Sequence, residues 1–109
     1  MSLEIFIALR AEQDMTLQYR WYLKNADSDA AEHYLQAVHE TILRVAEWPE
    51  LGVRRHFQSL ELDGVRSTQV GKPFDRNLLF YFGGETLRIE RVMHGARDLP
   101  NRLLEDPEG

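Results

Sequence analysis

Residues 77–82, NLLFYF, form a nearly continuous apolar run. Such a run is expected of a central strand, because an exposed strand leaves half its side chains in water. Turn signals mark out its neighbours. Gly83-Gly84 come directly after it, and Leu87 to His94 read as a last strand. Upstream, Asp63-Gly64 is a hairpin-type turn between LEL, 60–62, and VRSTQV, 65–70. The second half of the chain therefore reads as strands joined in antiparallel fashion.

The first half has a different period. Residues 3–9, LEIFIAL, alternate Leu3, Ile5, Ile7 and Leu9 on one face and read as a strand. Residues 11–25, AEQDMTLQYRWYLKN, lack Gly and Pro. Met15, Tyr19, Tyr22 and Leu23 share helical spacing there, with Leu17 and Trp21 alongside. After NADSD, Asp29 with Glu32 resembles a capping box, and Ser28 is the other candidate cap. Ala31, Tyr34, Leu35, Val38, Ile42 and Val45 then mark the buried stripe of a second helix, which Pro49 stops. Residues 11–48 are thus a helical hairpin. The order β-α-α-β-β-β predicts an α+β fold, with two helices packed on one face of an antiparallel sheet.

The length of 109 residues fits one domain, residues 1–109. There is no Cys, which excludes disulfides, thiolate metal sites and a thiol nucleophile. No apolar run approaches the roughly 20 residues of a membrane span. A cytoplasmic protein without a membrane partner is expected. The net charge of −5 is uneven. Residues 1–53 carry four Lys/Arg against nine Asp/Glu, and residues 54–102 carry nine against six. The acidic balance disfavours nucleic acid, whose binding rests largely on neutralised phosphates.

No phosphate loop, zinc-ligand pair or nucleophile elbow is present, and no cofactor or metal is expected. The basic residues of the strand region are more suggestive, since cross-strand neighbours converge on one face. Arg91 is the oddest of them. It lies in the apolar row of Leu87, Ile89 and Met93, so either a bulge shifts the register or a cation sits beside the core with Glu90 or Asp98 as its partner. In the ending HGARDLP, Gly95 permits a turn, Asp98 can cap a helical turn, and Leu99 and Leu103 can tuck onto the sheet.

AEQDM and RWYL on the first helix, AEWPELG at the end of the second, DGVRS entering a strand, LLFYF in the sheet and IERVMHGARDL at the end succeed one another in this order. In that order and length the chain resembles the RelE/ParE toxin superfamily of plasmid-stabilisation toxins. The ending HGARDL is most similar to the ParE branch. The resemblance implies a β-α-α-β-β-β domain and a bacterial toxin silenced by a small cognate antitoxin. It also implies one of two targets: RelE-like members cut messenger RNA on the ribosome, and ParE-like members inhibit DNA gyrase.

A nuclease needs a proton acceptor, a proton donor and cations around the phosphorane. By resemblance, Arg66, Arg91 and His94 would be its catalytic groups. The lysine-rich stretch that RelE-like members carry before this arginine is missing; residues 57–65 read FQSLELDGV. A non-enzymatic, gyrase-directed toxin is therefore the leading expectation. The alternatives are a ribosome-dependent endoribonuclease and a diverged, non-toxic member that still binds an antitoxin. Candidate target-binding residues are Arg66, Arg76, Arg91, His94, Arg97 and Asp98. Trp21 and Tyr22 are the candidate antitoxin anchors.

Overall fold

The computed structural model describes residues 2–95 and 99–107. Strand β1 (Glu4–Ile7) leads into α1 (Leu9–Asn25) and α2 (Ser28–Glu47). A two-residue strand β2 (Val53–Arg54), β3 (Arg66–Gln69), β4 (Asn77–Phe82) and β5 (Thr86–His94) come next, and a short α3 (Leu99–Leu104) closes the chain. The sheet order is β1-β5-β4-β3-β2. NLLFYF is its middle strand, as its apolar run requires. The later strands pair antiparallel, while β1 joins β5 in parallel, so the sheet is mixed.

Alternation along β4 builds two cores. Leu79 and Tyr81 face the helical pair and meet Ala11, Met15, Tyr34, Val38 and Val45. Phe80 points the other way, where Leu62, Val65, Met93, Leu99 and Leu103 cover it. Leu99 and Leu103 therefore do tuck back onto the sheet, on the face opposite the hairpin.

Local chemistry corrects several boundaries. The cap of α2 is Asp27, whose carboxylate accepts from the Ala30 amide at 2.8 Å, and not Asp29 or Ser28. Asp27 has the extended backbone that a cap needs, whereas Asp29 already lies in the first turn. Leu60–Leu62 is a 3-10 turn and not a strand. Its partner role passes to β2, which pairs Val53 with Ser67 and Arg54 with Arg66. Leu62 is buried while Leu60 is exposed, and Gly64 takes a positive φ of 84° to redirect the chain.

Strand β5 contains one irregularity, and it sets where Arg91 points. Phe80 pairs with Arg91 and Tyr81 with Ile89, so Glu90 is the extra residue of a bulge. The parity of the strand flips there. Leu87, Ile89 and Val92 face the hairpin core, whereas Met93 joins the opposite core. The single row of Leu87, Ile89, Arg91 and Met93 expected from alternation does not exist.

Candidate functional site

The bulge leaves Arg91 only 2% exposed. A buried guanidinium requires charge and hydrogen-bond partners, and this one has both. Nε and Nη2 donate to the two carboxylate oxygens of Asp14 on α1, at 2.8 and 2.9 Å. Nη1 donates to the carbonyls of Arg102, Leu103 and Glu105, at 2.7, 3.1 and 2.6 Å. These carbonyls lie at or just past the end of α3, where a helix lacks partners and favours a cation. The partner of Arg91 is thus Asp14 and not Glu90; Asp98, the other candidate, lies outside the described residues. Glu90 pairs instead with Arg88 at 2.8 Å.

Asp14 has a second task. Strand β1 ends at Ile7, and its last bond to β5 is Ala8 N–H to the Ile89 carbonyl at 2.9 Å. Beyond that point β5 has α1 beside it in place of a strand. Asp14 accepts from the Val92 amide there, at 3.0 Å, and so supplies what β1 no longer does. One carboxylate joins α1, the edge of β5 and, through Arg91, the C-terminal helix.

The structure also places Arg66 within the framework. Its guanidinium donates to the Gly52 carbonyl at 2.8 Å and to the Glu50 carbonyl at 3.5 Å. Beside it, the Tyr81 hydroxyl donates to the Pro49 carbonyl and accepts from the Gly52 amide, both at 2.8 Å. Burial raises the Tyr81 pKa above its ordinary value, an effect that the Gly52 bond and the Arg66 charge partly offset. Together they fasten the loop after α2 to the sheet.

The remaining candidates divide by position. His94 is exposed at the end of β5 and pairs with Asn77. Gly95 next to it has φ +82° and donates to the Arg76 carbonyl at 3.0 Å, which brings exposed Arg76 to the same end of the sheet. Arg97 and Asp98 lie outside the described residues. Trp21 is 54% exposed. Tyr22 is half-buried and packs on Tyr34 and Phe74 with ring centroids 5.4 and 5.5 Å away.

A groove of about 330 Å³ runs between α1 and the far end of β5. Leu17, Gln18 and Trp21 form one wall, Met93 and His94 the strand side, and Arg102 and Glu105 the C-terminal side. It thus brings Trp21 and His94, chosen for different roles in the sequence, into one concavity. Asp14 was missed by sequence reasoning. Its only local signal is a place beside Met15, on the flank of the buried stripe of α1. Among the described residues no group of three or more His, Asp or Glu is placed to hold a metal ion. No helix among them is long and apolar enough to cross a membrane.

The family model for the ParE toxin of type II toxin–antitoxin systems, parDE, matches residues 5–99. The chain belongs to the ParE toxin family. The matched span runs from β1 to the first residue of α3, and includes Asp14, Arg66 and Arg91. No curated protein matches the sequence. Among solved structures, one chain of the chromosomal ParDE toxin–antitoxin system from P. aeruginosa is similar, with a TM-score of 0.70 and 16% identity. The match covers 87% of this chain and 98% of that one. At that identity the likeness is one of fold: a ParE-like α+β arrangement with a helical pair on a five-stranded sheet.

Proposed function

We propose that this chain is a non-enzymatic toxin that inhibits DNA gyrase in the bacterial cytoplasm, and that a cognate antitoxin silences it. One observation carries the choice of target class. Of the three groups a nuclease would need, Arg91 is bound inside the fold and Arg66 is partly committed to the framework. Arg66 holds the carbonyls of Glu50 and Gly52, and Arg91 is bound by Asp14 and the α3 carbonyls. The buried Arg91 guanidinium is not free to stabilise a phosphorane, Arg66 has one nitrogen committed to the loop, and His94 alone makes no acid/base set. In this reading Arg66 and Arg91 serve the framework. Arg76 and His94, with Arg97 and Asp98 next to them in sequence, form the target-binding surface.

The antitoxin is assigned to the groove beside Trp21, as an amphipathic helix with apolar side chains toward Trp21 and Leu17. The matching chain from P. aeruginosa comes from a ParDE toxin–antitoxin system, which supports such a partner here. Because Trp21 and His94 line one groove, that helix also covers His94. Silencing then needs no change of shape in the toxin. A two-gene unit of this kind stabilises the plasmid or chromosomal segment that carries it.

A supercoiling assay with purified gyrase tests the target. Loss of supercoiling at stoichiometric toxin is expected, and unchanged activity at saturating toxin would sink the reading. Induced expression with and without the adjacent reading frame tests the rest. DNA synthesis should fail before protein synthesis. The reverse order would mean a ribosome-dependent nuclease cutting mRNA, and no arrest would mean a diverged antitoxin-binding member.

A further inference from the structure

The two outer edges of the sheet are not alike. Strand β2 is two residues long and carries the exposed Arg54, and short, charged edges resist pairing. Strand β1 reads EIFI, apolar after Glu4, with no Lys, Pro or bulge. Its parallel ladder to β5 uses alternate residues. Ile7 pairs with Ile89, and the Ala8 amide bonds the Ile89 carbonyl. Glu4, Phe6 and Ala8 therefore turn their amides toward β5, and Ile5 and Ile7 turn their N–H and C=O groups outward. The carbonyl of Ala46 on α2 takes the Leu3 amide just before the strand, at 2.9 Å. Among the described residues no backbone group outside the sheet accepts from the Ile5 or Ile7 amide. Phe6 lies between them, 54% exposed, with the Arg88 guanidinium 5.4 Å from its ring centroid. Such an edge is satisfied only by water or by another strand.

The strand that fits this edge is β1 itself. A two-fold axis at Phe6 sets Ile5 of one chain opposite Ile7 of the other, and both of these pairs take the hydrogen-bonded position. Phe6 then meets Phe6 in the non-bonded position between them, where side chains come closest. The charges agree with this register. Glu4 falls opposite Ala8, beside the first turn of α1. Ala8 caps that helix without a side-chain bond, and Arg10 lies in the same turn. The carboxylate of each chain thus stands at the positive end of a helix in the other. Among the described residues Glu4 takes part in no ion pair of its own chain. No like charges are opposed, because the facing pairs are Glu4 with Ala8, Ile5 with Ile7, and Phe6 with Phe6. A strand from another protein would satisfy the same backbone groups, but nothing would fix an anion opposite Ala8.

We propose that two copies of this chain pair antiparallel through β1, about a two-fold axis at Phe6, and so join their sheets into one. The paired segment is short, and interfaces of that size are weak and dependent on concentration. Trp21 lies about 18 Å along α1 from its first residue, so antitoxin binding and self-association use separate surfaces.

The chain has no Cys, so Phe6→Cys carries a lone thiol. Across the axis the two Cα atoms of a non-bonded pair stand about 4.5 Å apart, within disulfide reach. Under mild oxidation Phe6→Cys should form a covalent dimer. Leu60→Cys, in the turn before β3 and 91% exposed in the parent, should not. Sedimentation of the purified parent over micromolar to near-millimolar concentration should show a monomer–dimer equilibrium. Ile5→Pro removes an outward amide and leaves the ladder to β5, so it should weaken that equilibrium by at least about tenfold with an unchanged circular dichroism spectrum. The thiol test stands whether or not the proline variant folds. A parent that is monomeric throughout the range, Phe6→Cys linking no faster than Leu60→Cys, or a folded Ile5→Pro that dimerises like the parent would each overturn the proposal.

Discussion

Arg91 shows how one residue can be read two ways. As a cation in an apolar strand it invites a functional role. In the fold it is an internal tie whose value depends on Asp14, whose side chain is 8% exposed. Removing one partner of a buried pair leaves the other charge uncompensated. Asp14→Ala is therefore expected to cost about 3–5 kcal/mol by urea denaturation, as much as a large core truncation. A loss below about 1 kcal/mol would show that the pair is dispensable. Tyr34 is the converse case. Its hydroxyl is fully buried and has no hydrogen-bond partner among the described residues. Burial, with smaller contributions from the charge of Asp14 and from Tyr22, raises its pKa well above 10.0. The folded state thus holds this proton where the unfolded chain releases it. Stability is unaffected below pH 10.0 and falls as pH rises beyond it. Tyr34→Phe should flatten the alkaline fall in urea midpoint and leave neutral-pH stability within about 1 kcal/mol of the parent, or better.

At the scale of elements, two short pieces depend on fastening rather than on their own propensity. The six residues of α3 are too few to form a helix alone. They persist because Leu99 and Leu103 cover Phe80 and Met93, and because Arg91 binds the terminal carbonyls. Leu103→Ala should cost about 2–5 kcal/mol, and should expose the sheet face to a hydrophobic dye before global unfolding. Unchanged dye binding would mean that Arg91 alone retains the helix. The loop after α2 is held through Gly52. Gly52→Ala brings a methyl within 2.6–2.9 Å of the Tyr81 hydroxyl, the Tyr81 ring and the Ser67 carbonyl. The loop must move, so a lower melting temperature is expected by thermal unfolding, and an unchanged one would show that the loop yields at no cost.

For the whole molecule, the hairpin and the C-terminal segment form two walls around the far end of β5. The groove between them holds the exposed face of Trp21. Trp21→Ala should weaken antitoxin binding while leaving the melting temperature within a few degrees, measured by titration calorimetry and thermal unfolding. Collapse of the fold would instead assign Trp21 to the core. Tyr22 should behave in the opposite sense, because it already packs on Tyr34 and Phe74. The two neighbours proposed together as anchors thus separate into an exposed residue and a half-buried one packed on the core.

Local pattern was enough for the helical hairpin, the central place of NLLFYF, the β4–β5 hairpin and the return of Leu99 and Leu103 to the sheet. Each of these depends on spacings of a few residues, and side-chain periodicity acts at that range. The order of elements, with the motifs between them, also carried the family. What the sequence left open depends on distant partners. Whether Arg91 faces water or the core is decided by the bulge at Glu90 and by a carboxylate 77 residues away. The parallel seat of β1, the strand β2 in place of Leu60–Leu62, and the use of Arg66 as a loop strut likewise come from the closed sheet. Periodicity states which residues prefer burial. Only the tertiary structure states which charges meet beneath the surface, and so which arginines remain free to touch another molecule.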